Sequence, residues 1–245
     1  TAIFSLLRPG DHLISSAFLF GNTNSLFTTF DAQGIKVTFV DATSAGMVAA
    51  AITPATKMIF VETIANPRTQ VAALEEIGAL CAQKGIVYVV DNTMTSPYLF
   101  QPKNVRASLV VNSLTKYIAG HGNALGGAIT ELGLYDWAQF KNISQTYRKG
   151  DSQLWGITQI RKKGLRDFGA ALAPEVAHHI AIGAETLALR MQRQCDNALA
   201  LTKHLVCHPK IEKVYYPGLS DHPQHRRSAE LFRHPGAIFS FELNP

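Results

Sequence analysis

A single lysine, Lys116, follows an apolar run and stands beside two hydroxyl residues in the segment SLTK at 113–116. A glycine-rich stretch, YIAGHGNALGG at 117–127, comes directly after it. A lysine at such a position can be solvated, can contact a phosphate or can act as a nucleophile, because its amine is cationic and becomes reactive once deprotonated. Taken alone, the solvated side chain is the ordinary case, so other residues must decide.

Three further residues favour a reactive lysine. Asp91 ends the apolar run VYVV, while Ser113 and Thr115 precede Lys116 within the same segment. Singly, these residues could cap or stabilise turns. Together they match pyridoxal phosphate (PLP), which needs a lysine for its Schiff base, an acid against its pyridine nitrogen and donors for its phosphate. The glycines at 120–127 precede a predicted strand and lack the G-x-G-x-x-G spacing of dinucleotide-binding turns.

Short apolar runs rich in β-branched residues alternate with helical patterns in the first half of the chain. These runs predict strands at 11–16, 36–41, 57–63, 86–93, 108–113 and 124–130. A helix is predicted at 72–84 from its apolar spacing, with Gly85 ending it. The alternation predicts an α/β fold with a mostly parallel sheet. Ligands bind at the carboxyl ends of such strands, so residues 62–66, 91–93 and Ser113 are expected to meet there.

The pattern changes after residue 174. One long helix is predicted at 175–207, followed by a strand at 211–218, a helix at 224–232 and a strand at 236–243. We predict a large cofactor-binding domain at 1–190, lacking its N-terminal part, and the start of a smaller α+β domain at 191–245, joined by the long helix. Because the sequence opens within a helical pattern and stops after a strand-like run, we expect a piece of a longer protein.

Composition excludes several classes of protein. The chain has 47% apolar and 17% charged residues, which is typical of a folded domain with a real core. The basic segment RKKGLR at 161–166 lacks the aromatic or motif context of a nucleic-acid site, and we interpret it as a solvated or subunit-facing surface. The three cysteines have no metal-ligand spacing and indicate reduced thiols in the cytoplasm. No apolar run approaches the ~20 residues of a membrane span.

Several long segments resemble the Cys/Met-metabolism family of PLP enzymes, which includes cystathionine synthases and lyases, methionine γ-lyase and O-acylhomoserine sulfhydrylases. The most specific are VETIANP (61–67), VDNTMTSPYLFQP (90–102), SLTKYIAGHG (113–122), QIRKKGLRDFGAALAP (159–174) and ETLALRMQRQCDNA (185–198). They occur in the family's order, and the resemblance covers essentially all 245 residues. It implies an aspartate-aminotransferase-like fold and homotetramers built from catalytic dimers.

The resemblance also implies roles for individual residues. Lys116 corresponds to the Schiff-base lysine and Asp91 to the partner of the pyridine nitrogen. Ser113 and Thr115 correspond to phosphate-binding residues, and Thr93 to a residue close to the cofactor ring. No metal ligand is implied.

Two more positions match the family, and several others depart from its pattern. Asn66 corresponds to a residue near the phenolic oxygen of the cofactor and the substrate carboxylate, and Phe20 to a tyrosine whose ring stacks on the cofactor. Asn123 stands where many members have Asp, and Glu185 where many have Lys or Arg. The family's Ser-Gly-Met turn, its Tyr-x-Arg from a neighbouring subunit and its carboxylate-binding arginine are expected outside 1–245.

Three functions are compatible with these residues. The leading hypothesis is γ-replacement on an O-acylhomoserine by sulfide or a thiol such as cysteine, with Lys116 as the general base. The second is C–S lyase chemistry on methionine or cystathionine. The third is PLP binding without turnover, but a protein that only binds PLP would not require the lysine. Phe20 favours the first, because a phenyl ring cannot protonate a departing thiolate, whereas a carboxylate leaves without an acid.

Overall fold

Eight strands form two sheets in residues 1–244, the part of the chain that the computed structural model describes. The strands are β1 (His12–Ser16), β2 (Lys36–Val40), β3 (Thr56–Glu62), β4 (Val87–Asp91), β5 (Leu109–Ser113), β6 (Gly127–Glu131), β7 (Ile211–Tyr215) and β8 (Ser240–Leu243). The first six strands make one sheet in the order β2-β1-β3-β4-β5-β6, and β7 pairs with β8 in a second.

Ten α-helices connect or cover these strands within the same described range. They are α1 (Ala2–Leu6), α2 (Gly21–Asp31), α3 (Ala45–Ala50), α4 (Leu74–Lys84), α5 (Ser96–Leu99), α6 (Trp155–Gln159), α7 (Arg166–Phe168), α8 (Pro174–Glu185), α9 (Leu187–Val206) and α10 (His225–Leu231). Two π-helical turns, Leu114–Ile118 and Ile160–Leu165, and several short 3-10 turns fill the connections. None of the helices in residues 1–244 has the length and apolarity that a bilayer crossing requires.

The large sheet is parallel from β2 through β5, and only β6 runs antiparallel to its neighbour. The predicted mostly parallel sheet is therefore confirmed. In the observed register Glu62 of β3 lies opposite Asp91 of β4, and Asp91 lies opposite Val111 of β5. The polar residues that end these strands consequently meet at one edge of the sheet, as expected for a parallel arrangement.

Both faces of this sheet are buried, which explains why its strands read as continuous apolar runs. On one face Ile59 and Val61 pack with Ile77 of α4 in one core cluster. On the other, Phe60 meets Phe27 of α2 edge to face, with ring centroids 5.0 Å apart. Helices on both faces thus hold the central strands, and the carboxyl ends of those strands are fixed by the core on either side.

The long helix predicted at 175–207 was wrong, because the structure has two helices, α8 and α9, that meet at Thr186. The backbone of Thr186 leaves helical geometry at φ −102° and ψ 7°. Its hydroxyl donates to the carbonyl of Gly183 at 3.3 Å, and such local side-chain bonding competes with the helical ladder. The domain boundary predicted at residues 190 and 191 falls inside α9 and stays a prediction.

The close contact of α4 with the turn before β5 gives a stability test. A Cβ added at Gly78 would run into the carbonyl of Val105, whereas one at Gly46 in α3 would first meet the Ser44 hydroxyl at 3.6 Å. Gly78→Ala should lower the free energy of unfolding by about 1–3 kcal/mol through overpacking. Gly46→Ala should leave it unchanged or raise it by up to ~1 kcal/mol. Urea unfolding measures both, and equal values would contradict the close approach.

Candidate active site

A pocket of about 560 Å³ opens at the carboxyl ends of β3, β4 and β5. Its lining residues come from the sheet edge, from the start of α2 and from the chain before β8: Phe20, Asn22, Thr23, Glu62, Asn66, Asp91, Thr93, Met94, Ser113, Lys116, Tyr117 and Ile238. Every site residue predicted from the sequence except Thr115 lines this pocket. The strand ends therefore converge as the α/β pattern indicated.

Lys116 enters the pocket from the π-helical turn that follows β5. Its backbone leaves helical geometry at φ −89° and ψ −123°. Its side chain is exposed, and its Nζ lies 5.8 Å from the centroid of the Phe20 ring. A primary amine facing an aromatic ring at the mouth of a pocket is placed to react with a carbonyl group bound there.

Asp91, at the end of β4, is an acid that lines the same pocket as Lys116. Its Oδ1 accepts the backbone N–H of Thr93 at 2.9 Å. Burial raises the pKa of Asp91, and hydrogen bonding from Thr93 offsets part of that rise. Within residues 1–244 no lysine or arginine forms an ion pair with Asp91. A cationic group bound in the pocket would therefore stabilise the charged carboxylate.

Thr93 and Ser113 join the ends of β4 and β5. The backbone N–H of Ser113 donates to the hydroxyl oxygen of Thr93 at 2.8 Å. Because the neighbouring N–H of Thr93 holds Asp91, one short hydrogen-bonded chain fixes the acid relative to the strand that leads to Lys116. The two hydroxyl residues thus set the geometry of the pocket floor.

Thr115 lies beside the pocket rather than in its lining. Its hydroxyl oxygen accepts the N–H of Gly126 at 3.0 Å and lies 3.3 Å from the carbonyl oxygen of the same residue. This pair ties the lysine turn to the segment that enters β6. The role of Thr115 in phosphate binding stays a prediction.

Glu62 was expected at this edge among residues 62–66 but was given no chemical role, and five further lining residues were not expected at all: Asn22, Thr23, Met94, Tyr117 and Ile238. Glu62 carried a signal, since it is a carboxylate at the end of the otherwise apolar β3. Ile238 carried no such signal. It reaches the pocket only through tertiary packing against residues more than a hundred positions earlier in the chain.

Glu62 is buried, with 8% of its surface exposed, and is the second acid of the pocket. Burial is the main cause that raises its pKa to about 7; a hydrogen bond from Phe20 opposes the rise, and the nearby charge of Asp91 adds to it. In that hydrogen bond the backbone N–H of Phe20 donates to Oε1 of Glu62 at 2.9 Å. Glu62 therefore fixes the start of α2, and with it the ring of Phe20, against the end of β3.

Comparison with known proteins places this chain in one family. The sequence pattern of the Cys/Met metabolism PLP-dependent enzyme family matches residues 1–245. The chain is 35% identical over 263 residues to an O-acetyl-L-homoserine sulfhydrylase of Leptospira meyeri, covering 99% of this chain and 60% of that protein. It is 37% identical over 250 residues to an L-methionine gamma-lyase of Fusobacterium nucleatum subsp. polymorphum, covering 99% and 57%.

A solved structure of O-acetylhomoserine sulfhydrylase from Wolinella succinogenes superposes with a TM-score of 0.91 at 38% identity, covering 99% of this chain and 69% of that one. The fold is thus the aspartate-aminotransferase-like fold of PLP enzymes. The chain belongs to the Cys/Met metabolism family of PLP-dependent enzymes. It spans 57–60% of the length of the two curated relatives described above.

The residues of the pocket fit PLP. The half-buried carboxyl of Asp91 suits a protonated pyridine nitrogen, since that cation would offset the desolvation that raises its pKa. The amine of Lys116 suits the aldehyde, and the Phe20 ring offers an aromatic face beside it. The predicted cofactor is confirmed by the family to which the chain belongs.

Glu62 makes the stability of the apoenzyme depend on pH. The rise of its pKa from the usual 4.5 to about 7 corresponds to about 3 kcal/mol. Because the folded state holds this proton more tightly than the unfolded state, the contribution is complete below pH 4.5 and is lost as pH rises to 7. Glu62→Gln keeps an acceptor for the N–H of Phe20 but cannot ionise.

We expect the free energy of unfolding of Glu62→Gln apoenzyme, minus that of wild type, to increase by about 2.5 kcal/mol between roughly pH 5 and pH 8. Denaturant unfolding at the two pH values measures the change. The matched control is Glu212→Gln, at an exposed glutamate of β7, which should show no such change. A constant difference for Glu62→Gln would show that this carboxyl is not desolvated.

Proposed function

We propose that this chain forms the PLP-binding part of an enzyme that catalyses γ-replacement on an O-acylhomoserine, with sulfide or a thiol such as cysteine as the acceptor. The bond between Cγ and the ester oxygen breaks and a Cγ–S bond forms. The acyl group leaves as a carboxylate with the bonding electrons, and the proton of the thiol is released. PLP supplies an electron sink that stabilises negative charge next to the substrate amine.

The residues of the pocket would share this work. Lys116 would hold PLP covalently and, once displaced by the substrate amine, would remove and return protons at the substrate carbons as a general base. Asp91 would keep the pyridine nitrogen protonated. Ser113 and Thr115 would bind the phosphate, with Thr93 close to the ring. Asn66, which lines the same pocket, would lie near the phenolic oxygen and the substrate carboxylate.

The single observation that favours replacement is the phenyl ring of Phe20 beside Lys116, with its centroid 5.8 Å from Nζ. This ring can stack on a cofactor but cannot give or take a proton. General acid catalysis is worth roughly 10²–10⁴-fold. A thioether leaves as a thiolate, whose conjugate acid has a pKa near ~8.5, so it benefits from an acid. The carboxylate that leaves an O-acylhomoserine needs none.

A C–S lyase acting on methionine or cystathionine is the second candidate, and Glu62 favours it. The pKa of Glu62 is raised to about 7 mainly by burial, so this carboxyl is protonated in a large fraction of molecules at neutral pH. A neutral acid in the pocket lining could protonate a thiolate in place of the missing phenol. The choice between the two candidates therefore depends on whether a protonated Glu62 makes up for the acid that Phe20 lacks.

We further propose a cytoplasmic homotetramer built from catalytic dimers. Cys81, Cys195 and Cys207 are free thiols, which supports a reducing compartment. Large apolar side chains on the surface support assembly, since Phe168 is 60% exposed and Leu125 is 78% exposed. Size-exclusion chromatography with light scattering on the complete protein tests the assembly.

The covalent role of Lys116 is tested by labelling. The complete protein should absorb visible light when loaded with PLP, and borohydride should fix the cofactor onto the peptide that contains Lys116. Lys116→Ala should abolish this label, because no other amine would be placed to react. Lys103→Ala, in the turn after α5, is the control and should label like wild type. A label on a peptide without Lys116 would refute the assignment.

The choice between replacement and lysis is tested at Phe20. Wild type should turn over O-acylhomoserine faster than methionine or cystathionine. Phe20→Tyr should raise the rate on the two thioethers by about 10-fold or more, because the added phenol can act as an acid, and should change the rate on the ester little. Phe20→Leu controls for lost stacking. Faster turnover of a thioether by wild type would establish the lyase.

A further inference from the structure

One arginine of α9, Arg190, is hydrogen-bonded to the turn that carries Lys116. Nη1 of Arg190 donates to the carbonyl of Tyr117 at 2.7 Å, and Nη2 donates to that of Ile118 at 3.3 Å. These are the first two carbonyls after the lysine. Carbonyls at the end of a helical turn lack partners within the turn, and they carry its negative dipole end. A guanidinium supplies both donors and positive charge there.

The same guanidinium holds the junction between α8 and α9. Its Nη2 donates to the carbonyl of Gly183 at 2.7 Å, and its Nε donates to the hydroxyl of Thr186 at 3.0 Å. An arginine has five N–H donors in a rigid fork. Arg190 therefore uses most of its donors to join the lysine turn to both helices at the point where the predicted long helix is broken.

Two glycines leave room for this contact. Gly120 has φ +73°, and a Cβ there would collide with the guanidinium of Arg190. A Cβ at Gly183 would collide with the carbonyl of Ala119. The segment after Lys116 and the end of α8 thus approach each other as closely as the backbone permits, with the arginine packed into the same contact.

The positive charge of Arg190 interacts with backbone carbonyl dipoles rather than with a carboxylate. Among residues 1–244 no carboxylate forms an ion pair with it. Partial burial lowers its pKa. Hydrogen bonds from a charged donor to backbone carbonyls are stronger than neutral ones and compensate for this loss of water.

We propose that Arg190 is a positioning residue for Lys116: it holds the turn at 114–118 so that the lysine amine points at the bound cofactor and substrate. The inference rests on the proposed covalent and general-base role of Lys116. It follows from the backbone of that turn, which departs from helical geometry at Lys116 itself and so is not held there by a regular ladder of hydrogen bonds. Thr115 restrains the start of the turn through Gly126, and Arg190 restrains its end from a separate element.

The test compares Arg190→Met and Arg190→Lys with Arg193→Met in the complete protein. Arg193 is an exposed residue of the same helix, so its replacement removes an equal charge without touching the turn. A misplacement of about 1 Å can cost on the order of 100-fold in rate. We expect Arg190→Met to lower kcat per bound PLP by about 10- to 100-fold with KM nearly unchanged, because the pocket walls remain.

Two further readouts do not depend on turnover. The visible absorbance that accompanies PLP addition to apoenzyme should appear about 10-fold more slowly in Arg190→Met, because the amine samples more directions. In apoenzyme alone, amide hydrogen exchange of a peptide covering 114–120 should be faster than in Arg193→Met. Arg190→Lys should lie between wild type and Arg190→Met in all three measurements, since an ammonium can reach one or two carbonyls but lacks the fork.

The outcomes separate this inference from the proposed function. If Arg190→Met matches Arg193→Met in kcat, in the rate of PLP attachment and in hydrogen exchange, the positioning role is wrong. If Arg190→Met does not fold, Arg190→Lys decides: a kcat below that of Arg193→Met at full PLP loading supports the role, and wild-type values overturn it. A wild-type enzyme that carries no label on Lys116 overturns the proposed function itself, before any Arg190 variant is measured.

Discussion

The parallel register of β3, β4 and β5 is the constraint on which the rest of the pocket depends. It places Glu62 opposite Asp91, so two carboxyl groups end neighbouring strands at one edge of the sheet. Their burial follows from the core on both faces, and their raised pKa values follow from that burial. The pocket is therefore rich in acids that ionise with difficulty, and a cationic ring nitrogen is the partner that suits such a surface.

The lysine is held by a different kind of contact. Asp91 is fixed by a strand and by the N–H of Thr93, whereas Lys116 sits on a short turn after β5 that other elements restrain. Thr115 ties that turn to Gly126, and Arg190 ties its end to the helices that follow. The acid is thus fixed by its own strand, whereas the lysine turn depends on contacts from other elements at its start and at its end.

Much of this arrangement could be predicted from the sequence, because it depends on local patterns. Apolar runs located the strands, the polar residues that end them located the pocket, and family motifs singled out Lys116 and Asp91. The break between α8 and α9 could not be predicted, since the spacing of apolar residues continues through it and a hydroxyl of Thr186 interrupts the ladder. The pocket wall at Ile238 depends on tertiary packing, which periodicity does not encode.

Ile238 belongs to the chain just before β8, while most of the pocket belongs to the large sheet. A ligand that contacts both binds the arrangement in which the segment before β8 is packed against the large sheet, and therefore stabilises that packing. By thermodynamic linkage, each tenfold excess of such a ligand over its dissociation constant adds about 1.4 kcal/mol to the docked state. Ligand binding in the pocket and the packing of the segment before β8 against the large sheet are thereby coupled.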